Sequence, residues 1–281
     1  MRANILLRDL AIGLLAGVLS GLFGVGGGIV VVPIMVLALH MAQKRAQATS
    51  LVMIAMAAAA GSTTYALEGS VAWLPALAIV AGGLTGTLVG TVWIHRVADR
   101  GLQIAFAIVL FLAAIKLALP EGDTGSTSLP AMTIWVALGY VACGLAMGLL
   151  SSMMGVGGGI VLIPLLVTFF GFSQHDAAGT SLLVMIPIAI VGSIRLSRAG
   201  LTDWGMGLKL GAGAVIGAIA GAAVALALPQ DVLQTAFAVL LALVAVQMLV
   251  TAWRSGRTVS ARTPEDADRA TAGPPPGSPP G

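Results

Sequence analysis

Residues 21–36 read GLFGVGGGIVVVPIMV and residues 152–167 read SMMGVGGGIVLIPLLV. A Gly-Val-Gly-Gly-Gly cluster is poor material for the middle of a helix. Both copies nevertheless lie inside apolar sequence, and both are followed at the same distance by a proline, Pro33 and Pro164. Shifting the chain against itself by 131 positions aligns the two halves without a gap: Gly24 to Val30 meets Gly155 to Val161, and Thr49-Ser50 meets Thr180-Ser181. The same shift brings Gly82, Gly86 and Gly90 onto Gly213, Gly217 and Gly221, and Trp73 onto Trp204. One unit has been duplicated.

The surroundings of the repeat define its class. The chain is 58% hydrophobic and 9% charged, and apolar stretches long enough to span a bilayer recur along it. This predicts an all-α, polytopic membrane protein. The single cysteine, Cys143, excludes an intrachain disulfide and any cysteine-based zinc site. Arg2 and Arg8 precede an apolar run with no small-residue cleavage site, so the amino terminus is expected to be an uncleaved first helix. Residues 254–281 are polar and end in AGPPPGSPPG, a composition expected to form a disordered cytoplasmic tail. The expected organisation is therefore a first repeat at 1–119, an extracytoplasmic linker at 120–130, a second repeat at 131–253 and that tail.

The opening apolar segment of each half exceeds thirty residues, or about 45 Å of helix against a hydrocarbon core of about 30 Å. The glycine cluster falls inside it, so the helix either breaks and continues or turns back. Charge favours the turn. If the chain reverses at each GVGGG, Arg2, Arg8, Lys44, Arg45, Arg96, Arg100, Arg195, Arg198, Lys209, Arg254 and Arg257 share one side, and only Lys116 stands opposite. That is the asymmetry of cytoplasmic loops. Equivalent loops also exchange their charge: Lys44 and Arg45 become His175 and Asp176, while Thr64 and Leu67 become Arg195 and Arg198. The expectation is two inverted-topology repeats with broken or re-entrant helices at the two GVGGG motifs and both termini cytoplasmic.

A glycine turn at membrane depth leaves main-chain N–H groups accessible, and the short helix that follows presents the positive end of its dipole. Such ends bind anions without a buried cation. The candidate substrate-binding residues are Gly24, Gly26, Gly27, Gly28, Gly155, Gly157, Gly158 and Gly159, with the hydroxyls of Thr49, Ser50, Thr180 and Ser181 beside them. Helix capping is an equally natural task for those hydroxyls. The glycines spaced four apart are read as helix-packing positions, Pro33 and Pro164 as shaping the short helices, and Trp73 and Trp204 as interfacial anchors.

Several functions are excluded. GVGGG is followed by Ile-Val and not by Lys-Ser/Thr, so it is not a Walker A loop. His40, His95 and His175 fall in loops or at helix ends, which leaves a serine–histidine intramembrane protease without its base; no enzyme and no cofactor is expected. No Asp or Glu is read as lying deep in a span, so neither a carboxylate relay nor a proton carrier is apparent. The expected partners are a small anionic substrate and the lipid bilayer, with no nucleic acid; homo-oligomerisation is left open. An anion channel and a non-transporting scaffold remain the rivals to a carrier.

The pattern GxxxGxxSGxxGVGGG from Gly13, the duplicated GVGGGIV with its proline, and ATSL and GTSL at 48–51 and 179–182 resemble the TauE/SafE sulfite-exporter family, also called the 4-toluene sulfonate uptake permease family. The likeness covers residues 10–252. It implies export of sulfite, organosulfonates or related small sulfur-containing anions across the bacterial inner membrane, with the glycine clusters and Thr-Ser pairs at the site. The copies differ where Gly21 is replaced by Ser152, so the two half-sites need not be equivalent.

Overall fold

The computed structural model describes residues 2–93, 108, 110–117, 132–154 and 157–260. Gly155, Arg96, Arg100, the linker 120–130 and residues 261–281 lie outside the described residues. The described regular structure is helical: α1 (Arg2–Phe23), α2 (Gly28–Leu37), α3 (Gln43–Leu67), α4 (Trp73–Trp93), α5 (110–117), α6 (Ile134–Met154), α7 (Gly159–Phe170), α8 (Gln174–Arg198), α9 (Trp204–Ala227) and α10 (Gln230–Ser260). Seven of these are long and apolar enough to cross a membrane, among them Leu6–Phe23, Gln43–Leu67 and Gln174–Arg198, whereas α2 and α7 are short apolar helices. The helix α10 runs on to Ser260, past residue 254, where the polar tail is expected to begin.

Glycine decides which helices meet. In α1, the space beside Gly13, Gly17 and Gly21 is filled by the backbone of Leu210, Ala214 and Ala218 on α9; Gly213, Gly217 and Gly221 meet Leu10, Leu14 and Val18 in return. Numbers ascend together on both helices, so α1 and α9 run parallel at backbone contact. The pair α4 and α6 repeats the arrangement, with Gly82, Gly86 and Gly90 against Val141, Leu145 and Leu149, and Gly144 and Gly148 against Ile79 and Gly83. No Cβ fits at these positions, which explains the four-residue spacing: lipid tails are as apolar as leucine, so close van der Waals approach must hold such helices together.

Apart from Gly21 against Ala218, each of these contacts has its partner 131 residues away with the roles exchanged, the mark of a pseudo-two-fold relation between the halves. The equivalent helices α3 and α8 pack against each other. Gly179 lies against Tyr65, Gly61 against Leu182 and Gly192 against Leu51, so these equivalent helices run antiparallel. Their facing residues, including Ile54, Ala57, Ala58, Val184, Met185 and Ile188, are fully buried and form the centre of the core.

Candidate functional site

The two glycine clusters become turns that meet beside the α3–α8 crossing. Gly24, Gly26 and Gly27 have φ of 72°, 86° and 71°, and Gly157 and Gly158 have φ of 92° and 73°. L side chains rarely adopt this left-handed region, which is why glycine occupies these places. Gly27 and Gly158 are the N-cap residues of α2 and α7, and no side chain caps either helix. The first turn leans on α8 at Ala178 and Met185 and on α3 at Ile54. The second meets Val25, Ile54 and Met185. Ile54 and Met185 are equivalent residues, so one pseudo-symmetric apolar pair is shared by both turns.

The backbone account of these turns is incomplete in a consistent way. Val30 and Val31 donate to the carbonyl of Gly27, and Val161 and Leu162 to that of Gly158. No acceptor among the described residues receives the N–H groups of Gly26, Gly27, Gly28 and Ile29, or of Gly157, Gly158, Gly159 and Ile160. All these glycines are buried, and buried N–H groups are rarely left without a partner. Two helix N-termini therefore bring unpaired donors and partial positive charge to one place.

The hydroxyls divide. Thr49 and Thr180 are fully buried, in the second turn of α3 and α8 and not at the helix starts, and each is used across the pseudo-axis. Thr49 Oγ1 accepts from the N–H of Asp203 and Thr180 Oγ1 from that of Ala72, both at 3.0 Å. These N–H groups belong to the residues just before α9 and α4. Neither threonine caps its own helix, which Ser173 does for α8; each braces the residue ahead of a helix of the other half. Ser181 Oγ donates to the carbonyl of Gly24 at 3.0 Å, tying α8 to the first turn, while Ser50 Oγ donates to the carbonyl of Gln47 at 2.8 Å. The structure thus brings Gly24, Gly26, Gly27, Gly28, Gly157, Gly158, Gly159 and Ser181 together, and sets Thr49 and Thr180 at the braces on either side.

Sequence reasoning missed three residues of the site, Tyr65, Ile54 and Met185, and, outside it, the burial of Asp9. Tyr65 Oη donates to the carbonyl of Gly21 at 2.9 Å, fixing the end of α1 against α3. Ile54 and Met185 differ in type, so a search for identical repeat positions passes over them; their shared offset of 131 was the available signal. Asp9, near the start of the apolar window Leu6–Phe23, is 3% exposed, a burial that the reading of no carboxylate deep in a span did not anticipate. Its place near the end of the span hid it, because burial there depends on the register of α1 against its neighbours.

Among known proteins, the family model described as sulfite exporter TauE/SafE matches residues 2–117 and 140–279. A "probable membrane transporter protein" of Bacillus subtilis (strain 168), YdhB, is 27% identical over 228 residues, covering 79% of this chain and 91% of that one. A protein of the same description from Haemophilus influenzae is 28% identical over 270 residues, covering 87% and 98%, and one from Xylella fastidiosa (strain 9a5c) is 22% identical over 258, covering 91% and 99%. Two interlocked glycine-turn halves, seven apolar helices of spanning length and a family match over most of the sequence lead to one statement: this chain belongs to the TauE/SafE sulfite exporter family and is a multi-pass membrane transporter.

Proposed function

We propose that the protein is a secondary transporter that exports sulfite, organosulfonates or related small sulfur-containing anions across the bacterial inner membrane, binding them between the two glycine turns. The observation that carries this reading is the set of N–H groups at Gly26 to Gly28 and Gly157 to Ile160, which belong to buried residues and have no acceptor among the described residues. An oxyanion supplies the acceptors these groups lack, and dipole ends hold it without a fixed cation that would trap it. Burial of both turns fits an occluded state of a carrier better than a continuously open filter. The order of charges supports inverted halves with both termini in the cytoplasm: Arg8, Lys44, Arg45, Arg195, Arg198 and Lys209 stand at helix ends on the amino-terminal side, and Lys116 at the other.

The test is flux of labelled sulfite and of an organosulfonate such as taurine in proteoliposomes, with protein-free vesicles as background. Saturable flux, competed by unlabelled anion, is the expected result. Unsaturable electrical current would replace the carrier with a channel, and no flux of any sulfur anion would leave a scaffold.

A further inference from the structure

We propose that Asp9 is the group through which transport is coupled to a proton on the amino-terminal side of the membrane; the proposal rests on the transport reading above. Among the described residues Asp9 is the one buried carboxylate: Glu68 and Asp231 are exposed, and Asp176 and Asp203 are half-buried at helix starts. Its neighbour Arg8 reaches back from a side chain that is 49% exposed, with Nε at 3.2 Å and Nη2 at 2.9 Å from the same oxygen, Oδ1. A carboxylate inside a span is costly and is rarely kept without a task. Here one end of an ion pair is in reach of water while the other lies inside the bundle.

Position on α1 gives the task. Asp9, Ala16 and Ser20 share one face, since seven and eleven residues bring a helix back to within about 20° of its starting direction. The carbonyl of Ala16 fills the space beside Gly27, so this face looks onto the first glycine turn. Ser20 is fully buried and its Oγ has no hydrogen-bond partner among the described residues, which makes it the next polar group along the strip, about 16 Å from Asp9 by helix rise. The two halves differ at this point. Position 9 corresponds to Tyr140, whose ring stacks on Phe170 at 4.4 Å and meets Phe172 at the far end of α7. The positions equivalent to Phe170 and Phe172 are Leu39 and Met41, beyond the end of α2. At the same repeat position one half thus carries an ionisable group and the other a stacked aromatic.

The charged and titratable groups on the elements packed against α1 do not duplicate this role. The helix α2 carries none; α3 brings Lys44 and Arg45 at its start and Tyr65, followed by Glu68, at its other end; α9 brings Lys209 and, at its start, Asp203. The helix α8 brings Arg195 and Arg198 at its near end and His175 and Asp176 at its far end, and α10, which meets Phe23 through Phe237, carries Asp231, Arg254 and Arg257. The five cations α3, α8 and α9 bring are exposed, and among the described residues the ion pair of Asp9 is to Arg8. In the step proposed, the Asp9 carboxylate accepts a proton from water on the amino-terminal side, forming an O–H bond and releasing Arg8. The reverse step returns the proton to water and restores the pair. No other reactant is needed.

Wild type, Asp9→Asn and Asp9→Glu are compared in proteoliposomes by two assays: exchange of labelled sulfite at equal pH on both sides, and accumulation of labelled sulfite driven by an imposed pH gradient, with internal pH followed by an encapsulated dye. Asp9→Asn is expected to lose gradient-driven accumulation and the sulfite-dependent pH change while exchange, which needs no net proton movement, persists; Asp9→Glu keeps both. Accumulation by Asp9→Asn equal to wild type overturns the proposal and leaves the transport reading standing. Loss of exchange together with accumulation, in protein that still elutes as a monodisperse species, also overturns it, since Asp9 is then structural. Wild type that exchanges sulfite without responding to the gradient overturns it too, and wild type with neither activity removes the transport reading as well.

Discussion

The two short helices α2 and α7 open, N-cap included, with the same four residues, Gly-Gly-Ile-Val at 27–30 and 158–161, and carry a proline at 33 and 164, yet they are not equally enclosed. Ile160 and Val161 are each 4% exposed and Pro164 is buried, whereas Ile29, Val30 and Pro33 are all half-buried. Identical side chains in related positions cannot differ because of their chemistry. The difference comes from what each half packs against them: one hairpin is closed over and the other is more open. The carrier reading predicts a second state in which the two environments are exchanged. The comparison teaches that enclosure of these helices is set by the neighbours each half supplies, such as the Tyr140–Phe170–Phe172 cluster whose counterparts in the first half are Asp9, Leu39 and Met41.

The largest effect is expected at the turns themselves. Gly27→Leu and Gly158→Leu force a side chain into left-handed backbone, at about 1–2 kcal/mol. They also overpack a filled space, against the carbonyl of Ala16 in one case and the side chain and carbonyl of Met147 in the other, at about 1–3 kcal/mol. Labelled sulfite flux should be lost in both variants while the protein remains in the membrane. Full flux in either would detach that turn from the site and break the equivalence of the two halves there.

The packing stripes come next. Gly86→Leu and Gly217→Leu place a side chain where Leu145 and Leu14 present their backbone, and thermal unfolding in detergent should show similar losses for the two, of about 1–3 kcal/mol each. Unequal losses would mean that the α4–α6 and α1–α9 pairs are not interchangeable, contrary to the exchange of contacts.

These predictions use features that were legible in the sequence, and the reason is physical. Glycine spacing reports backbone approach, which is the same wherever it occurs, so the duplicated clusters and four-residue stripes could be read as turns and helix contacts. The α2 and α7 boundaries followed, because left-handed glycine at 27 and 158 stops one helix and starts the next. What could not be read depends on which element lies opposite. Thr49 and Thr180 serve the other half, 154 and 108 residues away, and nothing in their local sequence names that partner. Asp9 looks like an ordinary residue near a helix start until α1 is packed. Burial differences between identical stretches are invisible to a reading that treats the copies as equal.

The difference between the hairpins can be measured directly. In a Cys143→Ala background, Val30→Cys should react faster with a hydrophilic maleimide than Val161→Cys, because Val30 is half-buried and Val161 nearly enclosed. Equal rates would show that the two environments interconvert faster than labelling, or that the asymmetry is absent in the bilayer. A rate ratio that shrinks with added sulfite would sharpen the comparison, since it ties enclosure of α2 to the bound anion.

The smallest effect separates the two threonine braces. Replacing Thr49 or Thr180 by valine keeps the shape and removes one acceptor, leaving the N–H of Asp203 or Ala72 without its bond, at about 1 kcal/mol. The two need not be equal. Ahead of α9, the Asp203 carboxylate also accepts from the N–H of Met206 at 2.9 Å, so a second bond holds that helix start when Thr49 is gone. Ahead of α4, Ala72 has no side chain that could do the same. Thr180→Val should therefore lower the unfolding temperature more than Thr49→Val, and adding Asp203→Ala to Thr49→Val should bring the two halves level. If the single variants already agree, the aspartate cap contributes nothing beyond the threonine; if Thr49→Val is the worse, the brace on α9 carries load that its counterpart on α4 does not, and the symmetry of the scaffold is broken at its tightest point.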